Sequence, residues 1–320
     1  MLDTSTILLG TLVPVLFGLA LGYYAGRRGR VDNKNITALN VTLMHFILPC
    51  SLFLGIGRTP SAVLRSQSSL LAVLSATMVI TYVVAYFFVR KVLRKPRREA
   101  SVQALTVSFA NNVAVGIPLL SAMFGPAGLV AVAAAIVAGV LVISPITLVL
   151  LECGDADAEA NAVPLLPRLG RAVSAALRRP VILAPLCALV FPLSGHTLPV
   201  ALATSLDLVG KATVGLALFL TGLILSAHPI RLSAGVIIGV FLKNVAQPLL
   251  LILLILLFHL HGAIARQAFI LAAIPAGFFG TVFGARYGVS SREASSTLVL
   301  STLASVATLP LAVAWSAHLP

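Results

Sequence analysis

Residues 101–124 read SVQALTVSFANNVAVGIPLLSAMF, and residues 263–288 read AIARQAFILAAIPAGFFGTVFGARYG. Each is long and apolar enough to cross a bilayer, which takes about 20 mostly apolar residues. Each is also interrupted near its centre. The first carries Asn111, Asn112, Gly116 and Pro118, and the second carries Pro275, Gly277 and Gly280 at the equivalent depth. A proline removes a backbone donor and clashes with the carbonyl four residues earlier, and adjacent amides in hydrocarbon need partners. Two broken membrane helices at matched positions point to the binding site of a secondary transporter. Their half-helix N-termini offer free N–H groups and partial positive charge, which suits an anion. Read instead as two proline-kinked structural helices, the segments would leave the asparagines and the matched positions as coincidences.

Around these two segments lie eight more apolar runs. In order the ten spans are Thr6–Gly26, Ile36–Gly57, Ser68–Val89, Ser101–Phe124, Ala127–Leu151, Val181–Ser194, Leu198–Ser226, Leu232–Leu260, Ala263–Arg286 and Ala294–His318. Composition agrees with a protein whose surface faces lipid. The chain of 320 residues is 59% apolar and only 10% charged, with a mean hydropathy of +1.06. A soluble domain carries about 25% charged residues. The fold class expected is therefore an all-α polytopic membrane protein. The first run lacks a basic leader and is followed directly by Arg27 and Arg28, so it reads as a spanning helix rather than a cleavable signal.

The net charge of +13 is distributed in a way that sets topology. Of the 22 lysines and arginines, 17 fall in the loops after odd-numbered spans, and the other loops hold only Arg58, Arg65 and Arg266. Basic loops stay cytoplasmic, which puts both termini outside. No basic stretch is interleaved with aromatics, so the charge is not read as a nucleic-acid footprint. Cys50, Cys153 and Cys187 form no CxxC and match no metal spacing. No nucleophile–base pair, metal set or phosphate loop marks an enzyme, and no cofactor is expected.

The one long hydrophilic stretch, residues 152–180, divides the chain into halves, 1–151 and 181–320, and its part from Arg168 to Arg179 could form a short surface helix. The halves resemble each other in order. Pro14 aligns with Pro185, Thr37–Asn40 with Thr204–Asp207, Gly55 with Gly222, Gln103-Ala104 with Gln267-Ala268, and Gly116 with Gly280, at offsets of 164 to 171 residues. Five spans per half is an odd number, so the second half must sit upside down. That is a 5+5 inverted repeat, common in secondary carriers, with spans 4 and 9 as its two broken, crossing helices.

Few charges are embedded. Asp207 and Lys211 are four apart in span 7, in the favourable acid-first order. They read either as a structural ion pair or as a coupling site. Lys243 lies deep in span 8 within KNVAQP, where it could attract an anion or pair with Asp207. His45 reads as a hydrogen-bonded packing residue, and Pro49, Pro145 and Pro248 as ordinary kinks. The centres of spans 4 and 9 contain no Asp or Glu. Neutral amides with lysines nearby fit an anionic substrate better than a cation.

The segment S-F-A-N-N-V-A-V-G-I-P-L resembles the S-F-G-N-x-G-x-x-G-I-P-L crossover of the auxin efflux carrier family, whose bacterial members are often called malate or malonate permeases. Asn111, Gly116 and Pro118 fall on the family's positions, and Asn112 and Val113 depart from it. P-A-G-F-F-G-T-V-F-G-A-R-Y-G resembles the second crossover, with Pro275 at its break, and S-S-T-L-V-L-S-T-L-A-S-V-A-T-L-P is similar to the family's last helix. The resemblance spans all ten runs. It implies a scaffold of spans 1, 2, 6 and 7, a mobile transport domain of spans 3–5 and 8–10, elevator-like movement, a homodimer, and location in a bacterial inner membrane. The reading is then a secondary carrier for a small organic anion. Substrate contacts are expected from Asn111, Asn112, Gly116, Pro118, Pro275, Gly277 and Lys243, and coupling to H+ or Na+ from Asp207 and Lys211. The rival readings are a sodium-coupled symporter of the bile-acid type and a membrane receptor that binds without flux.

Overall fold

The computed structural model describes residues 4–33, 36–61, 68–152, 170, 174, 177–227, 231–289 and 292–319. Most of the hydrophilic segment 152–180, with the surface helix expected there, lies outside the described residues, as do Lys34, Arg65 and Cys153. The elements are all helical: α1 (Thr4–Arg27), α2 (Thr37–Gly57), α3 (Ser68–Val92), α4 (Arg97–Ser108), α5 (Asn112–Phe124), α6 (Pro126–Leu151), α7 (Pro180–Ser194), α8 (Val200–Ala227), α9 (Ala234–Leu257), α10 (Gly262–Ala273), α11 (Phe279–Arg286) and α12 (Arg292–Ser316). Six of them, α2, α3, α6, α8, α9 and α12, are long and apolar enough to cross a membrane, and α5, α7 and α10 are shorter apolar helices. Among the described residues there is no strand. The chain is a multi-pass helical membrane protein.

Four prolines show how such helices continue through a residue that should break them. Pro49, Pro118, Pro145 and Pro248 each stand two residues after a π turn, at Leu43–Ile47, Asn112–Gly116, Gly139–Ile143 and Leu242–Ala246. A π turn widens the backbone by one residue. That moves aside the carbonyl that the proline ring would otherwise strike. The sequence places the interruption of span 4 at Pro118, and the structure moves it. Pro118 sits in the first turn of regular helix after the π turn, where its missing N–H costs little. The break itself is at Phe109–Asn111, between α4 and α5, where Phe109 is extended.

Lipid-facing and protein-embedded helices differ in side chain. α1 presents exposed Phe17 and Tyr24 on one side, while Gly18, Gly22 and Gly26 repeat every fourth residue against Leu218, Phe219 and Ser226 of α8. Small residues at this spacing let two backbones approach closely in a bilayer. α4 shows the opposite pattern. Every residue from Ala100 to Ser108 is buried, the polar ones included. Gln103 Nε2 donates to Thr297 Oγ1 of α12 at 2.8 Å, and Thr106 Oγ1 to the carbonyl of Val102 at 3.0 Å. α10 is enclosed likewise from Gln267 to Ala273. Irregular backbone survives at membrane depth only where protein surrounds it or water lines it, and the two interrupted helices are enclosed.

Candidate functional site

The two interruptions meet. Asn111 N–H donates to Pro275 O at 2.9 Å, and Gly277 N–H donates to Phe109 O at 2.8 Å. These bonds form an antiparallel bridge between Ala110 and Ala276. Backbone groups freed by one break are thus satisfied by the other. Gly277 is required here, because a Cβ would lie 2.6 Å from Phe109 O.

A second set of side chains braces the meeting point. Lys243 and Asn244 project from the π turn of α9, and Gln247 follows one turn later; all three are buried. Lys243 Nζ donates to Ala272 O at 3.1 Å, at the end of α10, and to Gln247 Oε1. Gln247 Nε2 donates to Ser108 O at 3.0 Å, the last residue of α4. Lys243 therefore serves the C-terminal end of α10 directly and that of α4 through Gln247, where partial negative charge gathers. Neither sequence-level expectation for Lys243 names these partners, and the pair with Asp207 is not made. Asn244 Oδ1 accepts from Ser301 Oγ at 2.6 Å, and Ser301 Oγ accepts from Ala276 N–H at 2.9 Å.

At the N-terminal end of α5 the first N–H groups are engaged, that of Asn112 donating to Ala110 O at 2.8 Å. Asn111 caps α5 by accepting from Ala114 N–H at 3.4 Å. Its Nδ2 reaches Thr221 Oγ1 of α8 at 3.5 Å. Asn112 is only 2% exposed, yet neither its Oδ1 nor its Nδ2 has a hydrogen-bond partner. A buried unpaired polar atom costs about 1–3 kcal/mol, and such a group calls for an explanation such as a ligand or water.

Beside the meeting point lies a cavity of about 680 Å³. α2 contributes Thr37, Asn40, Val41, Met44 and His45, and α11 contributes Phe279, Thr281 and Phe283; Phe278, next to Gly277, completes that side. Phe279 stacks on Phe109 at 4.7 Å between centroids, so an aromatic contact joins the cavity wall to the break. Arg179 also lines the cavity, 5.7 Å above the ring of Phe283. His45 is exposed toward this space, which corrects its reading as a packing residue. Asn40 Oδ1 is buried without a partner.

Of the residues the sequence nominates, Asn111, Pro275 and Gly277 are brought into direct contact, and Gly116 faces Ile274 across the same junction. Lys243 joins them from below. Pro118 stands half-buried beyond the π turn. Asp207 and Lys211 are not part of the cluster. They pair with each other at 2.6 Å on an open face of α8, their side chains 36% and 73% exposed. Thr221, Gln247, Ser301 and Asn40 are additions of the structure. Only Asn40 had left a trace in the sequence, as the repeat partner of Asp207.

This arrangement of enclosed broken helices beside an accessible cavity defines a membrane transport protein. Residues 7–313 match the family described as membrane transport protein, and the chain belongs to that family, the auxin efflux carriers and their relatives. It is 30% identical over 310 residues to the "Uncharacterized transporter YfdV" of Escherichia coli (strain K12), covering 96% of each chain. It is 27% identical over 305 residues to a Rhizobium meliloti (strain 1021) protein provisionally named as a malonate transporter, covering 93% of this chain and 92% of that one. Auxin efflux carrier component 5 of Arabidopsis thaliana is 30% identical over 125 residues, 38% of this chain and 35% of its own.

Proposed function

We propose that the protein is a secondary carrier that moves a small organic carboxylate by elevator-type alternating access. The observation that carries this is the bridged pair of breaks with Asn112 buried and unpaired beside it. The substrate carboxylate hydrogen-bonds to Asn111 and Asn112 and meets the partial positive charge at the N-terminal end of α5. The cavity suits the remainder of the molecule, since Val41, Met44, Phe278 and Phe279 offer apolar and aromatic wall. An acid of the malonate or auxin kind, as the relatives' names suggest, has this chemistry.

The architecture behind this reading is a ten-span 5+5 inverted repeat whose spans 4 and 9 cross at the bridge. Spans 1, 2, 6 and 7 act as the scaffold and the rest as the moving part. Its support is the packing: α1 lies along α8 and α7 along α2, whereas α4 packs on α3, α6, α11 and α12. The loop charges argue for basic loops inside and both termini outside, and the family resemblance implies that two copies associate. The cavity holds Arg179 from the basic-loop side, which supports an inward-open state. Lys243 already bonds the carbonyl end of α10, where a carrier of this kind would hold sodium. Replacing sodium by choline is therefore expected to leave flux unchanged.

The test is current from proteoliposomes on a solid-supported membrane, challenged with a panel of mono- and dicarboxylates. A saturable current for one class is expected. Asn111→Ala should abolish it, yet leave the protein folded, since loss of a helix cap costs about 0.5–2 kcal/mol. Normal flux in that variant would sink the site assignment.

A further inference from the structure

The open face of α8 around Asp207 and Lys211 has a counterpart that the cavity identifies. The repeat sets Thr37, Asn40, Val41 and Met44 opposite Thr204, Asp207, Leu208 and Lys211 at a constant offset. The structure gives the two stretches the same pattern of cover except at their last pair, where Met44 is half-buried and Lys211 exposed. Thr37 and Thr204 are exposed, Asn40 and Asp207 half-buried, Val41 and Leu208 exposed, Leu43 and Gly210 buried. On α2 this face is the cavity wall. On α8 it stands uncovered, with Leu208 78% exposed and nothing within 4 Å of where a Cβ of Gly215 would be.

Position along α8 adds to this. Asn111 meets α8 at Thr221, six residues from its inner end at Ala227. Lys211 stands ten residues further along, about 15 Å at 1.5 Å per residue. The junction therefore sits low on α8, and the stretch above it bears an ion pair. Charge facing hydrocarbon is costly, and this pair is set in an apolar helix of 28 residues.

We propose that Thr204, Asp207, Leu208 and Lys211 form the wall of the outward-facing route, the counterpart of Thr37, Asn40, Val41 and Met44 on the inward side. This rests on the elevator reading above. When the junction is raised, the substrate carboxylate passes over Lys211, which Asp207 holds in place while the route is empty. The two sides of the carrier then differ in chemistry. The inner wall offers a neutral amide and a thioether, and the outer wall a cation for the anion to meet. Asp207 and Lys211 thus act in admitting substrate from outside, away from the junction.

The deciding experiment is thiol labelling on the full chain with Cys50, Cys153 and Cys187 changed to Ser. Lys211→Cys should react with a membrane-impermeant sulfonate thiol reagent added outside, and Asn40→Cys only with reagent added inside. Leu208→Cys, on the same face and uncharged, serves if the Lys211 variant fails to fold. Leu253→Cys, exposed on α9, should stay unlabelled from both sides. Protection of both α8 positions from outside reagent, whether by lipid or by a second copy of the chain, overturns the proposal. Labelling needs no flux, so it is decided separately from the carrier reading, which stands or falls with Asn111→Ala. In sided uptake assays with malonate and phenylacetate, Asp207→Asn combined with Lys211→Met should raise KM from outside about tenfold, the loss of one charge-assisted hydrogen bond. KM from inside should stay within about twofold, as no inner contact changes. An equal rise on both sides, or none, rejects the sided role.

Discussion

Replacing Lys243 by methionine is expected to lower the stability of the protein by about 3–5 kcal/mol and to end transport. Two acceptors lose their donor in a fully buried setting, Ala272 O and Gln247 Oε1. Each unpaired acceptor costs about 1–3 kcal/mol. Gln247 is then free to turn, so Ser108 O, held at 3.0 Å, loses its fixed partner as well. The measurement is thermal unfolding in detergent, followed by flux in liposomes. A melting temperature and flux equal to wild type would show that Lys243 does not hold the junction. Loss of flux with unchanged melting would instead make it a substrate contact, as the sequence alone suggests.

Lys243 also shows where a sequence stops being informative. Its depth and the absence of a nearby acid are plain in KNVAQP. Its partners are not, because one of the two, Ala272 O, is a backbone carbonyl 29 residues along the chain, and carbonyls leave no mark on a sequence. The interruption of span 4 is similar. SFANNVAVGIP advertises a break through its proline and amides, but the π turn of Asn112–Gly116 absorbs the proline and leaves the extended segment at Phe109–Asn111. The acid-first spacing of Asp207 and Lys211 gave their ion pair correctly. Which way that pair faces depends on packing between α8 and α2, where Gly210 lies against Ser51. Thr221 was invisible for another reason. A threonine bonded to its own helix, here to Ala217 O at 2.8 Å, looks like any other threonine of an apolar span until Asn111 is placed beside it.

Gly277→Ala is expected to abolish transport, whereas Gly116→Ala should leave the protein folded and active to within a few-fold. The sequence offers both as glycines of the crossing, and the contacts separate them. A Cβ on Gly277 would lie 2.6 Å from Phe109 O and 2.9 Å from Ala110 O. Both are backbone atoms in the bridge, so the strands of the junction must part. Parting them breaks Asn111 N–H to Pro275 O and Gly277 N–H to Phe109 O, at about 1–3 kcal/mol for each buried group left unpaired. Asn111 then loses its position relative to α5, and the site goes with it. A Cβ on Gly116 would meet Ile274 Cδ1 at 3.2 Å and Val132 Cγ2 at 3.5 Å, the far ends of side chains that can rotate. Overpacking of that kind typically costs about 1–3 kcal/mol. Melting in detergent and carboxylate flux, measured on both variants, decide the matter. Intact flux in Gly277→Ala would mean that the bridge is dispensable for moving substrate. Equal loss in the two variants would place the requirement in the small volume of the junction rather than in its backbone contact.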